Sequence, residues 1–196
     1  MIIGNINCIS YKEVFPLIKE NKIWLGNGMG RWISGFIVPE SYGLYGTEAR
    51  IEDGKRIVAT NNCLWLTNLD HGRRHQPLQL MTMADNLKFS KHKQIRENGY
   101  VKYDNYDAIE IPFVDAIPSD YKGAMGVPIT FMDKYCPEQF EIIWQASGNA
   151  YANAPREVME MLHFDPTIKY GGGLGAAVVD GKAVYSRILI KRKDII

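Results

Sequence analysis

Two short stretches gather the side chains best able to do chemistry. The first is Asp70-His71-Gly72-Arg73-Arg74-His75. Its two histidines are four residues apart, the spacing at which imidazoles share a helix face and can bind a metal. No HExxH glutamate accompanies them, Gly72 weakens a helix, and Arg73 and Arg74 repel a cation. The better reading is a basic loop at a strand end, a kind of loop that commonly meets phosphate. The second stretch, Lys88, Lys91, Lys93 and Arg96 with His92 among them, is a dense positive run. From its residues alone it is either a solvated loop or a contact to a phosphate backbone.

Other patterns point nowhere specific. The glycines at 26, 28, 30 and 35 lack both a P-loop lysine and a clean GxGxxG at a strand-to-helix junction, so they read as a flexible connection. Gly171-Gly172-Gly173-Leu174-Gly175 precedes a hairpin rather than a helix and also reads as a loop. Cys8, Cys63 and Cys136 are scattered and form no CxxC, which disfavours a thiolate zinc site and suits a reducing compartment. No Gly-x-Ser-x-Gly is present, and spacing alone singles out no Ser-His-Asp or Cys-His set. We assign no catalytic, cofactor-binding or metal-ligating residue.

Elements must hold these groups in place, and the composition allows them. Hydrophobic residues make up 46% of the 196, which excludes disorder as the leading reading. The net charge of +1 gives no global field for DNA or acidic membranes, so any nucleic-acid affinity must come from local clusters. The start of the chain is too short and polar for a signal peptide, and no stretch approaches a membrane span. A soluble cytoplasmic protein is the expectation.

Ser10-x-x-Glu13 has the form of a capping box, and Pro16 is expected near the first position of a second helical start. Strands are expected at 23–26, 36–39, within 57–69 ending at Trp65-Leu66, at 107–113 and at 140–144. A hairpin tip is expected at Asp53-Gly54, and a short helix over 157–162. Residues 84–103 show no sustained apolar period and read as an exposed basic insertion in a single domain covering 1–196. Val178-Val179, then Asp180-Gly181, then residues 183–190 predict a C-terminal hairpin on a type I′ turn. Met1 to Ile3 runs straight into Gly4-Asn5, like the end of a strand whose beginning is missing.

Several segments together resemble one family, the EcoRI-type adenine-specific DNA methyltransferases. They are Gly4-Asn5-Ile6-Asn7 with residues 9–19, then 21–26, then Trp65-Leu66-Thr67-Asn68-Leu69-Asp70-His71 with Arg74-His75. Tyr103 to Glu110 follows. The most specific block is Met125-Gly126-Val127-Pro128-Ile129-Thr130-Phe131-Met132-Asp133-Lys134-Tyr135, closing with 137–142; residues 185–193 resemble the family's last strand. The blocks run in order across nearly the whole chain.

The resemblance implies S-adenosylmethionine-dependent methylation of an adenine amine in duplex DNA, with the base extruded from the stack. The family's motif of Asn or Asp, Pro-Pro, and Phe or Tyr is absent, because the sequence contains no Pro-Pro pair. In the family that motif and the donor-binding region lie upstream of the Gly4-Asn5 block. The expectation is therefore an α/β fold: a partial Rossmann-like sheet with a C-terminal β-hairpin and a DNA-recognition insertion, inactive alone and binding no donor by itself. Duplex DNA is the expected partner, with Arg73, Arg74, His75, Lys88, Lys91, Lys93 and Arg96 as its contacts. The chain is expected to be either a fragment or the partner of a separately encoded N-terminal half, and a homodimer through an open sheet edge is the other expected association. The alternative is a structural or dimerising remnant without specific DNA binding.

Overall fold

The computed structural model describes residues 2–27, 35–44, 49–58, 63–148, 153–168 and 173–194. The chain begins with strand β1 (Ile2–Asn5) and a 3-10 turn over Ile6–Ser10, followed by helix α1 (Phe15–Lys19). Strands β2 (Trp24–Leu25), β3 (Phe36–Val38), β4 (Ala49–Glu52), β5 (Lys55–Val58) and β6 (Cys63–Thr67) come next. A 3-10 turn over Gly72–His75 leads to helices α2 (Met83–Phe89) and α3 (Lys93–Asn98). Then come β7 (Ala108–Glu110), β8 (Ala124–Pro128), a 3-10 turn over Ile129–Lys134, and β9 (Phe140–Ala146). Helix α4 (Arg156–Met161) and strands β10 (Val178–Val179), β11 (Lys182–Ala183) and β12 (Arg187–Arg192) complete it.

The result is a mixed α/β fold of several small sheets. The largest has the order β7-β8-β12-β9. Strands β7 and β8 are parallel, while β12 runs antiparallel to both of its neighbours. Its central strand is apolar where it is covered on both faces: Ile188, Leu189 and Ile190 are all buried, as burial on two sides demands. A second sheet, β1-β6-β2, is antiparallel throughout. One apolar cluster joins the two, with Leu64 and Leu66 of β6 in the same core as Ile188 and Met125. Helix α1 closes the seam. Phe15 meets Trp144 of β9 edge-to-face at 5.4 Å, and Ile18 is buried beside it.

The third sheet, β3-β5-β4, differs: no described residue on its three strands is buried. Its β4–β5 hairpin turns at Asp53-Gly54, both at positive φ (50° and 72°), as the Asp-Gly pair predicts.

Local chemistry accounts for three departures from the sequence reading. Ser10 is not a cap. It ends the 3-10 turn, and α1 starts only at Phe15 after Val14, which offers no side-chain acceptor. Pro16 lies in the first turn of α1, where its missing N–H costs nothing. Residues 84–103 contain two helices despite their weak apolar period. Thr82 caps α2 through the Asp85 N–H, while Asn86 and Ile95 are buried, one anchor per helix. The C-terminal hairpin does turn at Asp180-Gly181 (φ 48° and 69°), but it is only two residue pairs long. The chain then leaves it, and Arg187–Arg192 enters the four-stranded sheet instead of extending the hairpin.

Candidate nucleic-acid interface

Strand β6 ends at Thr67, and the segment after it carries the first basic cluster. The Thr67 hydroxyl accepts the Leu69 N–H and bends the chain outward. His71 donates its Nε2–H to the Leu25 carbonyl at 2.9 Å, tying this segment to β2. Its Nδ1 is buried without a partner among the described residues. The bond to the carbonyl fixes the Nε2–H tautomer and holds the ring in place.

The three basic residues of the 3-10 turn part company. Arg73 donates to the Asp133 carboxylate at 2.6 Å. Arg74 lies over the Trp24 ring at 3.9 Å, donates to Asn21 Oδ1 at 2.8 Å and pairs with Asp70 at 3.7 Å; its side chain is only 11% exposed. His75 bonds through both ring nitrogens, Nδ1 to Glu138 at 2.8 Å and Nε2 to Asp70 at 2.9 Å. Two acceptors require both nitrogens to donate, so this geometry suits the imidazolium. The bond to Asp70, and then the one to Glu138, raise the pKa of His75. The bond from His75 correspondingly holds Asp70 below the usual carboxylate value.

The second cluster lies on α2, α3 and the turn between them. Lys88 rests over the Phe89 ring at 4.9 Å, Lys93 pairs with Glu97 at 3.4 Å, and Arg96 donates to the Ser90 carbonyl. Lys91 and His92 share one acid, Asp115, at 2.6 and 2.7 Å. The His92 ring also stacks on Phe113 at 3.6 Å. Burial pushes the Asp115 carboxyl up, but its bonds from Lys91 and His92 outweigh this and leave its pKa lowered.

The two clusters approach each other at a cleft of about 320 Å³ lined by Arg73, Gln76, Pro77, Leu78, Gln79, Asp115 and Lys134. Arg73 belongs to the first cluster, and Asp115 is the acid that holds Lys91 of the second. The remaining candidates, Arg74, His75, Lys88, Lys93 and Arg96, do not line it. Among the described residues, no group of three His, Cys, Asp or Glu side chains is placed to hold a metal ion.

Residues 1–193 match the family described as "Adenine-specific methyltransferase EcoRI". The chain belongs to this family. It is 48% identical over its whole length to the type II methyltransferase M.EcoRI of Escherichia coli, covering 50% of that protein and aligning with its second half. It is 32% identical to the type II methyltransferase M.MgeORF184P of Mycoplasma genitalium and 30% to M.MpnI of Mycoplasma pneumoniae. These matches cover 57% and 56% of those relatives. The chain thus spans about half the length of the curated relatives it matches. No solved structure matches it.

Two of the blocks that carry the family likeness reach the cleft. Residues 125–135 form most of β8 and the 3-10 turn that presents Asp133 and Lys134. Residues 65–75 form the end of β6 and the basic turn. Sequence reading missed Lys134, Asp133 and Asp115. Charge density was its only signal, which passes over a lone Asp115 and the neutral pair Asp133-Lys134; the fold brings Asp115 and Lys134 to the cleft and sets Asp133 on Arg73 beside it.

Proposed function

We propose that this chain is the DNA-recognition half of an S-adenosylmethionine-dependent adenine-N6 DNA methyltransferase of a restriction-modification type system, and that it transfers no methyl group alone. The observation that carries this reading is a chain matching the family over residues 1–193 with no Pro-Pro pair anywhere in it. The adenine amine needs a rigid carbonyl-type acceptor and a stacking ring, and without them orientation is lost. Asn5 is the nearest stand-in, but Ile6 and Asn7 follow it, and its Oδ1 accepts the Asn7 N–H at 3.0 Å.

The donor fares no better. Gly171 and Gly172 lie outside the described residues. Gly173 has φ 86°, and a Cβ there would fall 2.6 Å from the Gly148 carbonyl oxygen. That glycine serves a close backbone approach, and the hairpin after it is not the helix a donor loop opens. Among the described residues this loop offers no seat for S-adenosylmethionine. The β7-β8-β12-β9 sheet, on this reading, is the later part of a Rossmann-like sheet, and residues 84–103 are its DNA-recognition insertion.

Duplex DNA is the proposed substrate, met by Arg73, Arg74, His75, Lys88, Lys91, Lys93 and Arg96, with an N-terminal half, in the same chain or encoded apart, completing the enzyme. Incubation of the purified chain with labelled donor and varied duplexes should give no counts above background. Counts should appear when an N-terminal half carrying the Pro-Pro motif is added. Robust methylation by the chain alone overturns the reading.

A further inference from the structure

The cleft between the basic clusters has a fixed floor and a charge arrangement that the reading above leaves unused. Gln139 is buried and forms two bonds with one residue of the floor. Its Oε1 accepts the Leu78 N–H at 2.8 Å, and its Nε2 donates to the Leu78 carbonyl at 2.9 Å. Such a paired amide holds residues 76–79 as a neighbouring strand would. Two cations line the cleft and a third is tied to its lining acid. Arg73 and Lys134 line it, and Lys91 reaches it through Asp115.

Two of the three are already met by internal carboxylates. Asp133 sits 2.6 Å from Arg73, and Asp115 sits 2.6 Å from Lys91. Lys134 is exposed and has no acidic partner among the described residues. A carboxylate on a guanidinium or ammonium presents the same charged acceptors as a phosphate.

We propose that this cleft is the seat of one backbone phosphate of duplex DNA, ligated by Lys134, Arg73 and Lys91, with Asp133 and Asp115 occupying the latter two until DNA arrives. The inference rests on the DNA-binding reading above. Lys134 engages first, because it breaks no ion pair. Arg73 and Lys91 then exchange an internal carboxylate for the phosphate, and Gln76 and Gln79 add uncharged amides at the rim. The carboxylates keep the cations oriented, at the cost of competing with the ligand. The same chemistry could receive a free phosphate, and the test separates the two.

The test is an anisotropy titration of labelled duplex DNA with the full chain at several salt concentrations. Lys134→Ala should weaken binding about 3- to 10-fold and lower the salt slope by about one, the signature of one lost phosphate contact. Asp133→Asn and Asp115→Asn should each tighten binding, since a competing anion is removed. A merely structural role for these acids predicts the opposite sign. Lys134 is exposed, so its alanine variant folds and decides the matter even if an Asp variant does not.

Wild-type binding that ignores Lys134→Ala overturns this inference and leaves the DNA reading standing. No binding by the wild type overturns both. Saturation of the ¹⁵N-labelled chain by inorganic phosphate below about 1 mM, with DNA binding indifferent to Lys134, assigns the seat to a free anion and overturns the proposal.

Discussion

His75 shows how a single surface residue couples to pH. Both of its nitrogens donate to carboxylates, first Asp70 and then Glu138, and its pKa is raised above 6.5 in consequence. The stability it contributes is fully present below that value and is lost as pH rises through the raised one. Asp70, lowered by the same bond, works in the other direction. Its share is present above 3.8 and is lost as pH falls through its lowered value. The latch between the basic turn and Glu138 is therefore strongest from mildly acid to near-neutral pH. The gap in urea midpoint between wild type and His75→Ala should shrink as pH rises from about 6 to about 9; a constant gap rules the coupling out.

A deeper residue-scale device joins β7 and β12 of the large sheet to Tyr103. Glu110 on β7 takes Arg187 Nη2 at 2.6 Å and the Tyr103 hydroxyl, and both ion-pair partners are only 11–12% exposed. Burial first, and then the Glu110 charge, push the Tyr103 hydroxyl well above its ordinary pKa, so it stays a donor. Removing one partner leaves the other desolvated. Glu110→Ala should cost about 3–5 kcal/mol in urea unfolding. Gly126 is confined by the same group, because a Cβ there would lie 2.0 Å from the Tyr103 oxygen.

At the scale of elements, α2 and α3 separate fold from function. The Lys91 and Lys93 side chains are 74% and 76% exposed, so their ion pairs add little stability. The double change Lys91→Ala with Lys93→Ala should leave the melting temperature in place. It should reduce the salt slope of DNA binding by about 1.8, at about 0.9 per phosphate contact. An unchanged titration removes these helices from the interface. Ile95, fully buried on α3, should behave in the opposite way. Its change to Ala should cost about 2–5 kcal/mol through the cavity it leaves.

Across the whole molecule, stability is distributed unevenly. Strand β12 lies between two neighbours with Leu189 at 0% exposure, whereas Ile51 of the outlying β3-β5-β4 sheet is 64% exposed. Leu189→Ala should therefore cost about 2–5 kcal/mol. Ile51→Ala should stay within about 0.5 kcal/mol. Native-state hydrogen exchange should rank the sheets in the same order, with amides of β12 opening only on global unfolding. Comparable protection in both sheets contradicts this division.

The sequence by itself determined those features that depend on a few neighbouring residues. The Asp53-Gly54 and Asp180-Gly181 turns were legible because that pair suits positive φ at both central positions. The strands read at 140–144 and within 57–69 were legible from their apolar content, though they run to Ala146 and Thr67; so were the place of Pro16, from its missing N–H, and the family, from ordered blocks along the chain. Tertiary structure decided the rest. Ser10-x-x-Glu13 has the form of a cap, but a cap works only where a helix begins, and the 3-10 turn moves that point to Phe15. Residues 84–103 looked irregular because each of their two helices buries a single residue, Asn86 or Ile95, and one residue per helix makes no period. The final strand departs from its hairpin because the slot between β8 and β9 buries Ile188 to Ile190 on both faces, which a two-stranded ribbon cannot do. Charge density in sequence picked out Arg73 and Lys91. Only the fold added Asp115, Asp133 and Lys134, since the field at a cleft depends on distance in space and not along the chain.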